Sequence, residues 1–189
     1  MTGARRVAVL KGGRSLERQV SLVSGARVED ALQRLGHSAT GIDVGHDLLG
    51  RLREVPPEAV FVALHGEGGE DGAVQELLEA LGIPYTGPPP AACAISRDKA
   101  ITKHLLRDAG VPTPDFLVLS ETTFKELGAA AALADIGERL GFPLVVKPAR
   151  GGSAMGVRFA ASADELPAAL VAAFSYDDKV VFERHVAGR

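Results

Sequence analysis

Apolar residues along this chain gather in short β-branched runs separated by longer stretches of helical spacing. Arg6–Leu10, Ala39–Val44 and Ala59–Leu64 read as strands, and Val20–Leu35 and Val74–Leu81 read as helices. In the first helix Val20, Val23, Val28, Ala31, Leu32 and Leu35 recur at roughly helical spacing, which assigns them to the core side; Gly36 supplies the stop. Strands alternating with helices predict an α/β domain with a largely parallel sheet. The segment Gly82-Ile83-Pro84-Tyr85-Thr86-Gly87-Pro88-Pro89-Pro90 breaks this pattern. Three consecutive prolines cannot continue a helix or pair in a central strand, so the expected units are residues 1–88 and 89–189.

The second unit reads α-β-α-β-β-α-β. Ser96 is the expected N-cap of a helix from Arg97 to Ala109, closed by Gly110. A strand at Phe116–Leu119 precedes a helix from about Phe124 to Leu140, which takes in the alanine tract Gly128–Ala134. Strands Leu144–Val146 and Val157–Phe159 flank a loop of small residues. Ser162-Ala163-Asp164-Glu165 has the form of a capping box opening a helix that ends near Phe174, and Val180–Glu183 is the last strand. The pattern predicts an α+β unit with a curved antiparallel sheet.

At 189 residues and 46% hydrophobic, the chain can bury a proper core. The formal net charge of −3 gives no basic face for a nucleic-acid partner. The single cysteine, Cys93, excludes an internal disulfide or a Cys-rich zinc site and fits a reducing compartment; its alanine and isoleucine neighbours make it a small buried thiol. The run Val7-Ala8-Val9-Leu10 is too short for a signal-peptide core, and no stretch approaches bilayer length. The expectation is a soluble, cytoplasmic protein without a membrane partner.

Three glycine-bearing loops follow strands and carry the candidate chemistry. Lys147-Pro148-Ala149-Arg150-Gly151-Gly152-Ser153-Ala154-Met155-Gly156 lets backbone N–H groups approach a polyanion, with Lys147 as a point charge beside them. A hairpin with a flexible tip is the structural alternative. Gly12-Gly13-Arg14-Ser15-Leu16-Glu17-Arg18-Gln19-Val20-Ser21 sits at a carboxyl sheet edge, where open α/β sheets bind ligands, but lacks dinucleotide-site spacing. Glu17 there, taken alone, reads as a complement to the helix dipole. Leu64-His65-Gly66-Glu67-Gly68-Gly69-Glu70-Asp71-Gly72 occupies the next such edge and reads either as a ligand loop or as an acidic cap for the following helix. His65 has no second histidine or cysteine at ligand spacing, so a zinc site is not expected.

Together with Pro84-Tyr85-Thr86-Gly87, Asp98-Lys99 and Val181-Phe182-Glu183, these motifs resemble D-alanine–D-alanine ligases of the ATP-grasp superfamily, in the same order and over essentially the whole chain. The resemblance implies a Rossmann-like open parallel sheet (the pre-ATP-grasp domain) followed by an α+β ATP-grasp subdomain with an antiparallel sheet. It implies ATP-dependent joining of two D-alanines through an acyl phosphate, for peptidoglycan precursors. By resemblance, Glu17 and Ser153 are catalytic: Glu17 holds the ammonium of the first D-alanine, and Ser153 orients that glutamate. His65 and Glu70 shape the dipeptide site. Lys99, Lys147, Ser153, Ala154 and Gly156 bind the phosphates, Glu183 accepts the adenine amino group, and Val186 offers backbone contacts.

Ala154 stands where many members carry a second serine. The resemblance also implies Mg2+, held by acidic residues expected beyond Arg189 in a C-terminal ATP-grasp subdomain absent from this chain; no metal ligand is assigned here. Asp177-Asp178, the late acidic pair, reads as a turn before a strand. The 189 residues alone are therefore expected not to turn over. The family is commonly dimeric through its first domain. Two other classes remain open from the sequence: a non-catalytic nucleotide- or peptide-binding module, and a related ligase making a D-alanyl–D-lactate depsipeptide.

Overall fold

The computed structural model describes residues 3–188; Met1, Thr2 and Arg189, and the side chain of Ala130, lie outside the described residues. The chain divides into two compact units, one running to Ala94 and the other starting at Ile95.

In the first unit β1 (Arg6–Lys11), α1 (Arg18–Arg34), β2 (Ser38–Asp43), α2 (Leu48–Glu54), β3 (Ala59–Val62) and α3 (Ala73–Ala80) follow in order, and α4 (Pro90–Arg97) runs across the division at Ala94. The strands form a parallel sheet in the order β2-β1-β3, with Val7 level with Ala39 and Ala59. Alternation along β1 points Ala8 and Leu10 to one face, where they join Ile42, Val60, Leu48, Leu52, Val74 and Leu78 in a core. Full burial of a side chain such as Leu78 contributes about 1.5–3 kcal/mol.

Helix α1 departs from the expected core face. Its buried residues are Ser21 and Gly25, while Val20, Val23 and Leu35 are exposed. The cause is close approach: a Cβ on Gly25 would collide with the Lys11 side chain, so the helix seats on β1 through its small residues rather than its valines. Segment 84–86 also differs from a pure break. Val60 donates to Pro84 O at 2.8 Å and Thr86 donates to Val60 O at 3.0 Å, which adds one residue of parallel pairing to the edge of β3.

The second unit contains α5 (Lys99–Asp108), β4 (Phe116–Ser120), α6 (Glu121–Glu126), α7 (Leu133–Leu140), β5 (Leu144–Pro148), β6 (Arg158–Ala160), α8 (Leu166–Phe174) and β7 (Lys179–Arg184). Its antiparallel sheet has the order β4-β7-β5-β6. One face buries Leu144, Val146, Val180 and Phe182 against α7 and α8, through Leu133, Ile136, Leu140, Leu166 and Leu170. The opposite face carries Phe116, Ala149 and Val181 with Ala100 of α5 over them. The candidate chemistry of this unit lies on that second face.

Three local expectations are corrected. The N-cap of α5 is Asp98 rather than Ser96: its Oδ1 accepts from Ala100 N at 2.9 Å and Ile101 N at 3.1 Å, whereas Ser96 lies inside α4. The helix expected over Phe124–Leu140 is broken, because Gly128 takes φ 71° between α6 and a tight 3-10 turn at Ala129–Ala132. In the capping box Ser162 makes no side-chain cap; Glu165 Oε2 instead accepts from Ala161 N at 2.8 Å.

Candidate functional site

The turns after the three parallel strands gather at one sheet edge of the first unit. Ser21 Oγ, fully buried, accepts from Gly12 N and donates to Ala63 O, each at 2.8 Å, and so ties the turn after β1 to the turn after β3. Ser15 Oγ accepts from Glu17 N at 3.1 Å and donates to His65 O at 2.7 Å. These bridges bring Glu17 beside the His65–Gly66 peptide, and a Cβ on Gly66 would lie only 2.7 Å from Glu17 Oε2. Glu17 occupies the N-cap position of α1 without a side-chain cap hydrogen bond. His65 Nε2 lies 3.1 Å from Ser24 Oγ, and His65 Nδ1 lies 3.7 Å from Glu70 Oε1. Glu17, His65 and Glu70 thus share one edge.

Asp71, not Glu70, secures the acidic loop: its two oxygens accept from Gly68 N at 2.7 Å and Ala73 N at 3.1 Å. A cleft of about 470 Å³ opens beside this edge, lined among others by Gly13, Arg14, Ser15, His46, Leu64 and Gly68. Asp43 and Arg18 form a bidentate pair at 2.6 and 2.7 Å; that hydrogen-bonded contact lowers the Asp43 carboxyl and raises the Arg18 guanidinium from their ordinary values.

In the second unit the loop from Ala149 to Val157 joins β5 to β6. Ser153 and Ala154 both adopt left-handed backbone, at φ 51° and 56°, and both are exposed. Such conformations cost a non-glycine residue on the order of 1–3 kcal/mol each. Gly156 is buried, and a Cβ there would fall 2.7 Å from both Pro148 Cγ and Tyr176 Cδ2. The loop base is clasped by Arg150, whose Nη2 reaches Asp177 Oδ1 at 2.7 Å while its N–H donates to Asp177 Oδ2 at 2.6 Å. Asp178 also binds Arg150. The late acidic pair is therefore an anchor for the glycine loop rather than a plain turn.

Lys99 is not a solvated helix residue. It is half-buried and donates from Nζ to Gly151 O at 2.7 Å. Burial first, then the charge of Lys147, holds its pKa below the ordinary lysine value. Glu183 is no rim charge either: its side chain is 13% exposed, with Lys147 Nζ 2.8 Å from Oε1 and Lys103 Nζ 2.7 Å from Oε2. Burial acts to raise the Glu183 carboxyl, but the hydrogen bonds from Lys103 and Lys147 outweigh it and the pKa lies below the usual range. Lys99, Lys103, Lys147 and Glu183 line one cleft of about 250 Å³. Val186 is exposed beyond β7.

Sequence reasoning passed over Lys103, Ser15, Ser21, Ser24 and Arg150. For Lys103 a signal existed, because it follows Lys99 by one helical turn and so shares its face. Ser21 lies inside the Gly12–Ser21 motif, but the valine pattern on the same helix masks it. Among the described residues no three His, Cys, Asp or Glu side chains gather as a metal-ligand group, and Asp177 and Asp178 are both engaged with Arg150. No helix among the described residues is long and apolar enough to cross a membrane.

Comparison with known proteins gives this arrangement a context. Residues 46–88 match the model for the D-ala D-ala ligase N-terminus and residues 105–189 the model for the D-ala D-ala ligase C-terminus. The D-alanine–D-alanine ligase of Pseudomonas putida (strain GB-1) is 47% identical over 183 residues, covering 97% of this chain and 55% of that protein. The D-alanine–D-alanine ligase of Bacillus anthracis, solved complexed with ATP, superposes with a TM-score of 0.82 at 37% identity, over 98% of this chain and 60% of its own. A D-alanyl-alanine synthetase A from Vibrio cholerae gives a TM-score of 0.84 at 26% identity, over 100% and 61%. The chain thus spans somewhat over half the length of the relatives it matches. With two models matched in order and relatives of near-half identity along its length, this chain belongs to the D-alanine–D-alanine ligase family.

Proposed function

We propose that this chain carries the D-alanine-binding and ATP-binding parts of a ligase that joins two D-alanines for peptidoglycan precursors. The observation that carries the reading is the gathering of Glu17, His65 and Glu70 at one sheet edge, in a chain whose relatives are named for D-alanine. An amino-acid ammonium needs a carboxylate held close to backbone, and Glu17 against Gly66 supplies one. His65 and Glu70 border the dipeptide. The γ-phosphate of ATP passes to the first D-alanine carboxylate, the second amine attacks the acyl phosphate, and phosphate leaves.

The ATP assignment rests on Lys99 and Lys147 beside the glycine loop, with backbone N–H groups from Ser153 to Gly156 for the phosphates. One lysine about 4 Å from a phosphate charge offers about 4 kcal/mol at an effective dielectric near 20, before desolvation. Charge that follows the phosphoryl group is the main resource in such transfers. Glu183 accepts the adenine amino group and Val186 contacts the base through its backbone.

Magnesium, which the family reading brings, would be held chiefly by the nucleotide phosphates with one or two carboxylates; among the described residues no group of three His, Cys, Asp or Glu side chains gathers to cage it. Our reading of the 189 residues is binding of both ligands without turnover. The cytoplasm as location and a homodimer through the first unit complete the proposal; sedimentation of the purified chain tests the dimer.

Isothermal titration tests the core of it. D-alanine binding that E17Q abolishes, with ATP binding retained, is the expected result. D-alanine binding indifferent to E17Q would overturn the substrate assignment, and steady D-alanine-dependent phosphate release would overturn the inactivity.

A further inference from the structure

Lys103 is a buried ammonium, 6% exposed, that the proposed reaction does not use. A lysine carries three N–H donors, and Lys103 directs them at three oxygens. These are Thr113 Oγ1 at 2.6 Å, Glu183 Oε2 at 2.7 Å and Pro114 O at 3.1 Å. Its Nζ also lies 4.7 Å from the centroid of the Phe116 ring. The secondary structure dictates this. Helix α5 puts Lys103 one turn past Lys99, and the β4–β7 register sets Phe116 directly opposite Glu183.

Lys103 and Lys147 therefore differ in kind. With its donors committed to protein oxygens, Lys103 has no hydrogen to offer a phosphate. Lys147 takes the other oxygen of Glu183 at 2.8 Å, but it is 20% exposed and sits at the end of β5 beside the glycine loop. It can exchange a carboxylate for a more highly charged phosphate oxygen. Lys103 stays.

We propose that Lys103 is the positioning residue that makes Glu183 selective for adenine, pinning Oε2 so that the Oε1 edge is presented to a 6-amino donor and not to a 6-oxo acceptor. The inference rests on the reading of Glu183 as the residue that meets the base. An ionised carboxylate only accepts hydrogen bonds, so it pairs with the amino group of adenine and opposes the carbonyl of guanine. A buried carboxylate without a fixed cation takes up a proton or loses its orientation, and its O–H can then donate to the 6-oxo group of guanine while its C=O still accepts from the amino group of adenine.

The test is titration of the 189-residue chain with ATP and with GTP, for wild type, E183Q, K103M and T113V, each checked for folding by circular dichroism. The expected result is a wild-type preference for ATP of about tenfold or more that falls below about threefold in both E183Q and K103M. T113V, which removes one acceptor from Lys103 and keeps the charge, lowers the preference by about threefold and carries the test should K103M not fold. A folded K103M, or in its place T113V, that keeps the wild-type preference while E183Q loses it overturns the role of Lys103 and leaves the base assignment standing. Equal affinity for the two nucleotides in wild type, or no affinity for either, sinks the base assignment and this inference with it.

Discussion

The carboxylate of Glu17 rests against the backbone of Gly66, where an added Cβ would come within 2.7 Å of Oε2. Gly66 also sits at φ 73°, a conformation that L side chains rarely adopt. Gly66→Ala should displace Glu17 and strain the turn at once. We expect D-alanine affinity to fall about tenfold and stability by about 1–3 kcal/mol, read by calorimetry and urea unfolding. Unchanged affinity in a folded variant would mean that the Glu17 position is not set by this glycine.

Ser21 joins two turns through a hydroxyl that water does not reach. Ser21→Ala leaves Gly12 N–H and Ala63 C=O without that partner. The expected loss is about 1–3 kcal/mol in urea unfolding, with weaker D-alanine binding because both site loops hang from this bridge. A loss below about 0.5 kcal/mol would show that the turns hold each other by other means.

Lys147→Met should weaken ATP and GTP alike, because both nucleotides carry the same phosphates. A drop of about tenfold or more in each, with their ratio unchanged, is expected by titration calorimetry. A selective loss of ATP alone would place Lys147 at the base instead.

Stability should depend on pH through Glu183. Its folded pKa lies below the ordinary value of 4.5, so its ion pairs contribute fully above about that pH and are lost as pH falls through the folded value. Thermal melts between pH 7 and pH 3 should show a decline below about pH 4.5 that Glu183→Gln reduces. The same variant should be less stable at pH 7 by about 3–5 kcal/mol, since it leaves Lys103 charged and buried without its partner. A Glu183→Gln chain as stable as wild type at pH 7 would refute the coupling.

Lys99 gives a second handle. Its folded pKa is lowered, chiefly by burial, so the folded chain binds fewer protons than the unfolded one between that value and 10.5. Phosphate next to Lys99 restores the proton. ATP binding in that alkaline window should take up protons, seen as a dependence of binding heat on buffer ionisation enthalpy; no such dependence would put the phosphates elsewhere.

The order of strands, the antiparallel second sheet and the placement of three glycine loops at strand ends were legible in the sequence, whereas the short helices α2 and α4 were not and the helix expected over Phe124–Leu140 is broken. Each legible feature follows from local periodicity and from glycine and proline stops, which act within a few residues. The motif order also sufficed for the family. Local pattern could not choose the buried face of α1, because apolarity favoured Val20 and Val23 while the short distance to β1 admits only Ser21 and Gly25. Nor could it choose between Ser96 and Asp98 as a cap, since both precede helical runs and only the chain path between α4 and α5 decides. The pairing of Lys103 with Glu183 spans 80 residues and depends on how α5 lies over β7, so no sequence spacing encodes it. The sequence by itself determined which groups line the loops and strand ends; tertiary packing decided which charges meet, because an ion pair is set by distance in space and burial, neither of which periodicity reports.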